Sequence, residues 1–313
     1  MHIVFLGSSH FGLPALQALR AEGCKISCVL TQPDAHSGRG LPMTHTLIKD
    51  FSLKNRLKLY QPKSINAPES LEFLRKLKPD LFVVIAYGQI LSSDVLSIPK
   101  LMAINLHASL LPKYRGAAPI NRALLNGEQA TGVTVMKVIR KMDAGPIILQ
   151  ESLTIAPQDN YVTIEEKLSC LGAKLLRDAV NLIASGAHTL TEQDESLATF
   201  APKLKKEDGS IDWHQPAEHI HNLVRGCVVW PGAFTHYQGS LLKVYASRLV
   251  AASAPVQGSQ PGQVIAVTKE GIFVLCGKDV LVIEELQLAG KRRMKTAEFI
   301  AGHKIMVGQA MGK

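Results

Sequence analysis

Two hydrophobic rhythms alternate through the first half of the chain. "HIVFLG" from His2, "KISCVLTQ" from Lys25, "LKLYQP" from Leu57, "DLFVVIAYG" from Asp80, "LMAINLH" from Leu101 and "TGVTVMKVI" from Thr131 have the length and composition of strands. "DLFVVIAYG" is almost wholly apolar, as befits a strand buried on both faces. Between the strands, "LPALQALRAEG" reads as a helix closed by Gly23, and "NAPESLEFLRKL" as a helix with Asn66 as its cap and Pro68 in its first turn. This βαβ order predicts a Rossmann-like α/β domain with a mainly parallel sheet and helices on both faces.

From Thr163 to Gly186 the period lengthens. Ile164, Leu168, Leu171, Leu175, Ala179 and Leu182 recur three and four apart, which predicts one long helix with a buried stripe. The polar stretch after it, residues 189–206, reads as a linker between a first domain at 1–188 and a second at 207–313. The second half has a different texture. "PAEHIHNLVRGC" predicts a helix, and "LKVYASRLV", "GQVIAV", "GIFVLCG" and "VLVIEELQL" predict short strands separated by turns, as in a small β-barrel.

Composition narrows the class. A chain of 313 residues suits two domains, and with 46% hydrophobic and 19% charged residues it has ample core material. No run reaches the roughly 18–20 apolar residues of a membrane span, and the N-terminus lacks a basic leader. Five cysteines fit neither a disulfide framework nor a zinc site, which points to a reducing, cytoplasmic compartment. "GSSHFG" is not a dinucleotide fingerprint, and His219 and His221, two apart on a helix, do not share a face, so no metal site is expected. The net charge of +9 is high for an enzyme of small molecules and ordinary for a protein that handles nucleic acid.

The candidate chemistry sits at strand ends. Asn105 and His107 differ by two and so point to one face of their strand; Asp143 follows the next strand in "KMDAGP". If these strands are neighbours, all three emerge on one rim, where parallel sheets bind ligands. An amide to bind an oxyanion, an imidazole to move a proton and an acid to orient it suit a reaction at a carbonyl carbon. No Ser or Cys is placed as a covalent nucleophile. A histidine at a strand end is more often structural than catalytic, so spacing alone leaves both readings open.

"NLHASLLPKYRGAAPI", with its downstream Asp-x-Gly, resembles the signature of the folate-dependent formyltransferases, in which Asn, His and Asp are the catalytic set. The Arg-Gly-Ala-Ala-Pro-Ile part resembles the branch acting on methionyl-tRNA more than the enzymes acting on glycinamide ribonucleotide. "TQPDAHSGRG", "KLKKEDGSIDW", "WPGAF" and "LQLAGKRRM" extend the likeness over the whole chain. The resemblance implies a formyltransferase domain followed by a β-barrel (OB-like) tRNA-binding domain, with Asn105, His107 and Asp143 catalytic. It implies 10-formyltetrahydrofolate as donor, held by Ser109, Leu110, Leu111 and Pro112 and by backbone from Gln89 to Leu91. The acceptor would be the α-amino group of methionine on initiator methionyl-tRNA; the alternative is a small amine such as an amino sugar nucleotide or glycinamide ribonucleotide. Arg39, in a Gly38–Arg39–Gly40 loop, would contact the tRNA. Lys113, Arg115, Lys203, Lys205 and Lys206, with Lys291, Arg292, Arg293 and Lys295, would follow its phosphates. A monomer is expected, without metal or membrane.

Overall fold

A computed structural model describes residues 1–36, 43–251 and 258–312. The chain divides into two compact units. The first comprises Met1–Pro119, Ala130–Thr154 and Glu165–Ala201; the second comprises Ile120–Gln129, Ile155–Ile164 and Pro202–Lys313. The polar stretch 189–206 is therefore shared: its residues up to Ala201 pack with the first unit, the rest with the second.

The strands of the first unit are β1 (His2–Gly7), β2 (Lys25–Leu30), the short antiparallel pair β3 (Ala35–His36) and β4 (Met43–Thr44), β5 (Leu59–Tyr60), β6 (Leu81–Ile85), β7 (Met102–His107), β8 (Ala130–Lys137) and β9 (Ile147–Thr154). Seven of them form one sheet in the order β5-β2-β1-β6-β7-β8-β9. The ladders from β5 to β7 are parallel, and only β8 runs against its neighbours. β1 and β6 are central, and their apolar side chains are buried on both faces, as a sheet covered on both sides requires.

The first unit's helices are α1 (Leu13–Ala21), α2 (Leu47–Lys54), α3 (Pro68–Lys76), α4 (Ser93–Leu96) and, from Glu165 on, α6 (Tyr161–Ser185), while α5 (Pro119–Leu125) belongs from Ile120 on to the second unit. α6 is the expected long helix. Its buried stripe is wider than the sequence suggests, taking in Leu176, Val180 and Ile183, while Leu171 and Leu182 are half-buried. Gly172 brings α6 onto β7, since a Cβ there would lie 2.7 Å from Leu106. Asn66 does not cap α3. The residue before Pro68 must be extended, so Ala67 (φ −69, ψ 147) takes the cap position and Pro68 opens the helix. Asn66 instead donates to the Ile90 carbonyl and accepts from the Ser92 N–H.

The second unit pairs α7 (Ala217–Cys227) with an antiparallel sheet of β10 (Ala233–Tyr237), β11 (Ser240–Val250), β12 (Val264–Thr268), β13 (Gly271–Leu275) and β14 (Val280–Leu288), in the order β10-β11-β14-β13-β12. β15 (Met294–Lys295) pairs with β14, and α8 (Thr296–Gly302) follows. Trp213, Ile220, Val224, Val244, Leu281 and Phe299 belong to its core. Among the described residues no ladder joins β10 to β12, so the sheet is not a closed barrel. The C-terminal segment lies beside both edges: Val264 donates to the Gln309 carbonyl at 2.8 Å, and Gly312 to the His236 carbonyl at 2.7 Å. No helix among the described residues is long and apolar enough to cross a membrane.

Candidate active site

β7 delivers Asn105 and His107. The His107 ring is buried, 6% exposed, with Nε2 2.9 Å from the Tyr114 carbonyl. A carbonyl only accepts, so Nε2 carries a proton and Nδ1 is the nitrogen that can gain or lose one. Nδ1 faces Asp143 Oδ2 at 3.8 Å, within ion-pair range and just beyond a direct hydrogen bond. Asn105 is half-buried, and among the described residues nothing in the protein bonds its side-chain amide.

Asp143 reaches this place by a route the sequence did not suggest. β8 is antiparallel to β7, pairing His107 with Thr134 and Ile104 with Lys137, so the loop after β8 starts at the far end of β7 and not on the same rim. It folds back and is tied down. Gly116 donates its N–H to Asp143 Oδ2 at 2.9 Å, and Gln193 Nε2 donates to the carbonyls of Asp143 and Gly145 at 2.9 and 2.7 Å. Asp143 has φ 49, a left-handed conformation that an L-residue holds only under such restraint.

The turn after β7 is fixed by Thr134. Its hydroxyl donates to the Ser109 carbonyl at 2.6 Å and accepts from the Leu111 N–H at 3.2 Å and Gln150 Nε2 at 2.8 Å. Ser109 Oγ donates to the Lys113 carbonyl at 2.6 Å. Leu111–Pro112 is a cis peptide. Leu110 is half-buried over β8, where any side chain at Gly132 would strike it: a Cβ there would lie 2.4 Å from Leu110 Cδ2.

Gln89 and Leu91 follow β6. Gln89 Oε1 accepts from the Ile65 N–H at 2.7 Å, and Leu91 is buried in the core beside Tyr87 and Val95. Their side chains are thus structural. Among the described residues the backbone N–H groups from Gln89 to Leu91 have no acceptor in the protein. No group of three His, Cys, Asp or Glu among the described residues could hold a metal ion, and all five cysteines are unbridged.

The cations separate into two kinds. Lys113, Lys203, Lys205, Lys206, Lys291, Lys295, Arg292 and Arg293 are exposed, as a phosphate-binding role requires, and Arg292 and Arg293 are also paired with Glu298 and Glu285, each at 2.6 Å. Arg39 lies outside the described residues. Arg115 is corrected: it is 2% exposed, so its guanidinium does not belong to a surface track. Nε and Nη2 donate to Gln193 Oε1 at 3.0 and 2.8 Å, and Nη1 and Nη2 form a bidentate pair with Glu195 at 3.0 and 3.1 Å. Lys141 joins the same carboxylate at 2.8 Å. Hydrogen bonds from Arg115, then Lys141, lower the Glu195 carboxyl to about 2. Sequence reading missed Tyr114, Gly116, Thr134, Gln150, Gln193 and Glu195; the last two sit in the stretch it took for a linker.

A buried imidazole facing an acid, beside an amide with no partner among the described residues, is an arrangement suited to chemistry at a carbonyl. The formyl transferase profile matches residues 1–180, and that of the formyl transferase C-terminal domain matches residues 203–304. The chain belongs to the formyl transferase family and is a formyl-transferring enzyme.

Within the family it falls with proteins named methionyl-tRNA formyltransferase. Those of Geotalea uraniireducens and Geobacter sulfurreducens are 42% and 40% identical over 313 residues, 100% of this chain and 98% and 97% of theirs. Solved structures share the fold at lower identity. An N-formyltransferase from Helicobacter canadensis, in complex with folinic acid and dTDP-3-aminofucose, aligns with TM-score 0.68 and 18% identity over 90% of this chain and 98% of its own. HypX from Aquifex aeolicus, in complex with tetrahydrofolic acid, aligns with TM-score 0.62 and 16% identity over 98% of this chain; this chain spans only 50% of HypX.

Proposed function

We propose that this chain transfers the formyl group of 10-formyltetrahydrofolate to the α-amino group of methionine on initiator methionyl-tRNA, for translation initiation. The observation that carries the substrate assignment is identity of 40% or more along the whole chain to proteins of that name. The catalytic set in this reading is Asn105, His107 and Asp143. The Ser109–Pro112 turn and the backbone of Gln89–Leu91, with its unused donors, hold the folate. That co-substrate supplies the electrophilic formyl carbon. The aminoacyl ester lowers the amine below the usual α-amino range of about 7.7–8.0, so a neutral nucleophile is available without a strong base. Asn105 donates to the oxygen that gains charge during attack. His107 Nδ1 takes the proton the amine sheds and returns it to the departing nitrogen. Asp143 stabilises the imidazolium in between; hydrogen bonds in such sites shorten when substrates bind.

In the same reading residues 1–188 are the catalytic domain and residues 207–313 bind tRNA. The exposed Lys113, Lys203, Lys205 and Lys206, with Lys291 and Lys295, supply salt-sensitive, sequence-independent affinity. The second unit is read as an OB-like barrel in which the C-terminal segment, bonded to β12 and β10, takes the place of a closing ladder. A second domain does not by itself exclude a small amine, because the Helicobacter canadensis enzyme aligns over nearly its whole length; the full-length relatives decide for tRNA. Incubation with 10-formyltetrahydrofolate and charged initiator tRNA is expected to give N-formylmethionine. Formylation of a dTDP-amino sugar or glycinamide ribonucleotide, with none on the tRNA, would replace this reading by the alternative.

A further inference from the structure

Three consecutive residues hold both halves of the His107–Asp143 pair. The Tyr114 carbonyl accepts from His107 Nε2 at 2.9 Å, and the Gly116 N–H donates to Asp143 Oδ2 at 2.9 Å. Between them, Arg115 turns its side chain away from solvent onto Gln193. A guanidinium has only donors, so two of its N–H groups on Gln193 Oε1 forbid the flipped amide, which would set nitrogen against nitrogen. With its oxygen so fixed, Gln193 presents Nε2 to the carbonyls of Asp143 and Gly145. The preceding residues, Arg140 to Met142, are exposed. Ala144 and Gly145, which follow, are buried, so the left-handed backbone at Asp143 is held by these bonds together with the packing on its C-terminal side.

We infer that Arg115 and Gln193 are positioning residues for formyl transfer. The guanidinium orients the Gln193 amide, the amide fixes the backbone of Asp143, and that backbone sets the carboxylate opposite His107 Nδ1. The inference rests on the proposed formyl-transfer reading of the site. Arg115 touches no substrate in this scheme, and its charge is balanced internally by Glu195, which Lys141 also bonds.

The test separates positioning from general support. Gln193→Glu keeps an oxygen for Arg115 and removes both donors to the Asp143 loop; Gln193→Met removes the oxygen as well. Both are expected to lower kcat tenfold or more, about 1.4 kcal/mol, with KM for folate and for methionyl-tRNA within twofold of wild type. Arg115→Met should match Gln193→Met, and the double variant should lose no more than either alone, because one contact chain is being cut. Arg115→Lys, the mildest change, keeps the charge but not the fork and should lower kcat about threefold or more at unchanged KM; it carries the test if the others fail to fold. A kcat within twofold of wild type in Gln193→Glu or Arg115→Lys would overturn the inference. So would multiplying losses in the double variant, or kcat, KM and folded fraction declining together. Failure of the wild-type chain to formylate methionyl-tRNA would instead remove the function on which the inference rests.

Discussion

Thr134→Val asks whether one hydroxyl shapes the turn that follows β7. The change keeps the β-branched outline and deletes a donor and two acceptor directions. In the native turn that oxygen serves the Ser109 carbonyl, the Leu111 N–H and Gln150. Ser109 is 0% exposed and Leu111 3%, so water cannot replace the lost partner at either backbone group. Each buried group left unpaired costs about 1–3 kcal/mol. Gln150 is exposed and keeps its 2.9 Å bond to the Leu111 carbonyl, so it adds little. The expected loss is about 2–4 kcal/mol, which lowers the first unit's melting temperature by roughly 5–15 °C.

Thr134→Ser makes the sign of the effect decisive. It retains the hydroxyl and loses a methyl group, at about 0.8 kcal/mol. If burial of carbon dominated, valine would be at least as stable as threonine, and serine the least stable. The hydrogen-bond account demands the order Thr, Ser, Val. Calorimetry of the three proteins gives the order directly. Steady-state kinetics should show KM for the formyl donor raised about tenfold in the valine variant, about 1.4 kcal/mol, with KM for the tRNA unchanged, because the proposed function puts the distorted turn on the folate side. A valine variant melting within 1 °C of wild type, or above serine, would refute the reasoning.

Asn105→Ala is expected to lower kcat by roughly 10²–10³ without loss of stability, since its amide bonds nothing among the described residues; a loss below tenfold would remove its proposed oxyanion role, and His107→Ala should cost at least as much. The Glu195 carboxyl is lowered from 4.5 to about 2 in the folded chain, so its bonds to Arg115 and Lys141 contribute stability above about pH 4.5 that disappears as pH falls toward 2. The melting-temperature gap between wild type and Glu195→Gln should therefore narrow between pH 5 and pH 3, and a constant gap would contradict the pairing. Burial pushes the thiols of Cys28, Cys227 and Cys276 up to about 12, while Cys170 is exposed. Because the thiolate reacts, maleimide at pH 8 should label Cys170 first and those three only after unfolding, as peptide mass mapping would show.

What could be read from the chain depended on how far apart the cooperating residues lie. β6 declared itself through consecutive apolar residues, and α6 through its three-and-four spacing, because those signals are local. Asn105 and His107 were likewise legible, two apart on one strand. Asp143 does lie opposite His107, but not by the expected route: parallel neighbours would put it on the same rim, and the reversed direction of β8 leaves no mark in its own composition. Arg115 shows the harder limit. A sequence displays a positive charge but not the direction it faces, and this one is satisfied by residues 78 and 80 positions away. Gln193 and Glu195 look like solvated linker because the run "TEQDES" that holds them contains no apolar residue. A fully desolvated guanidinium needs acceptors in fixed positions, and only a polar segment can provide them. The composition that disguised this stretch is thus what its role requires.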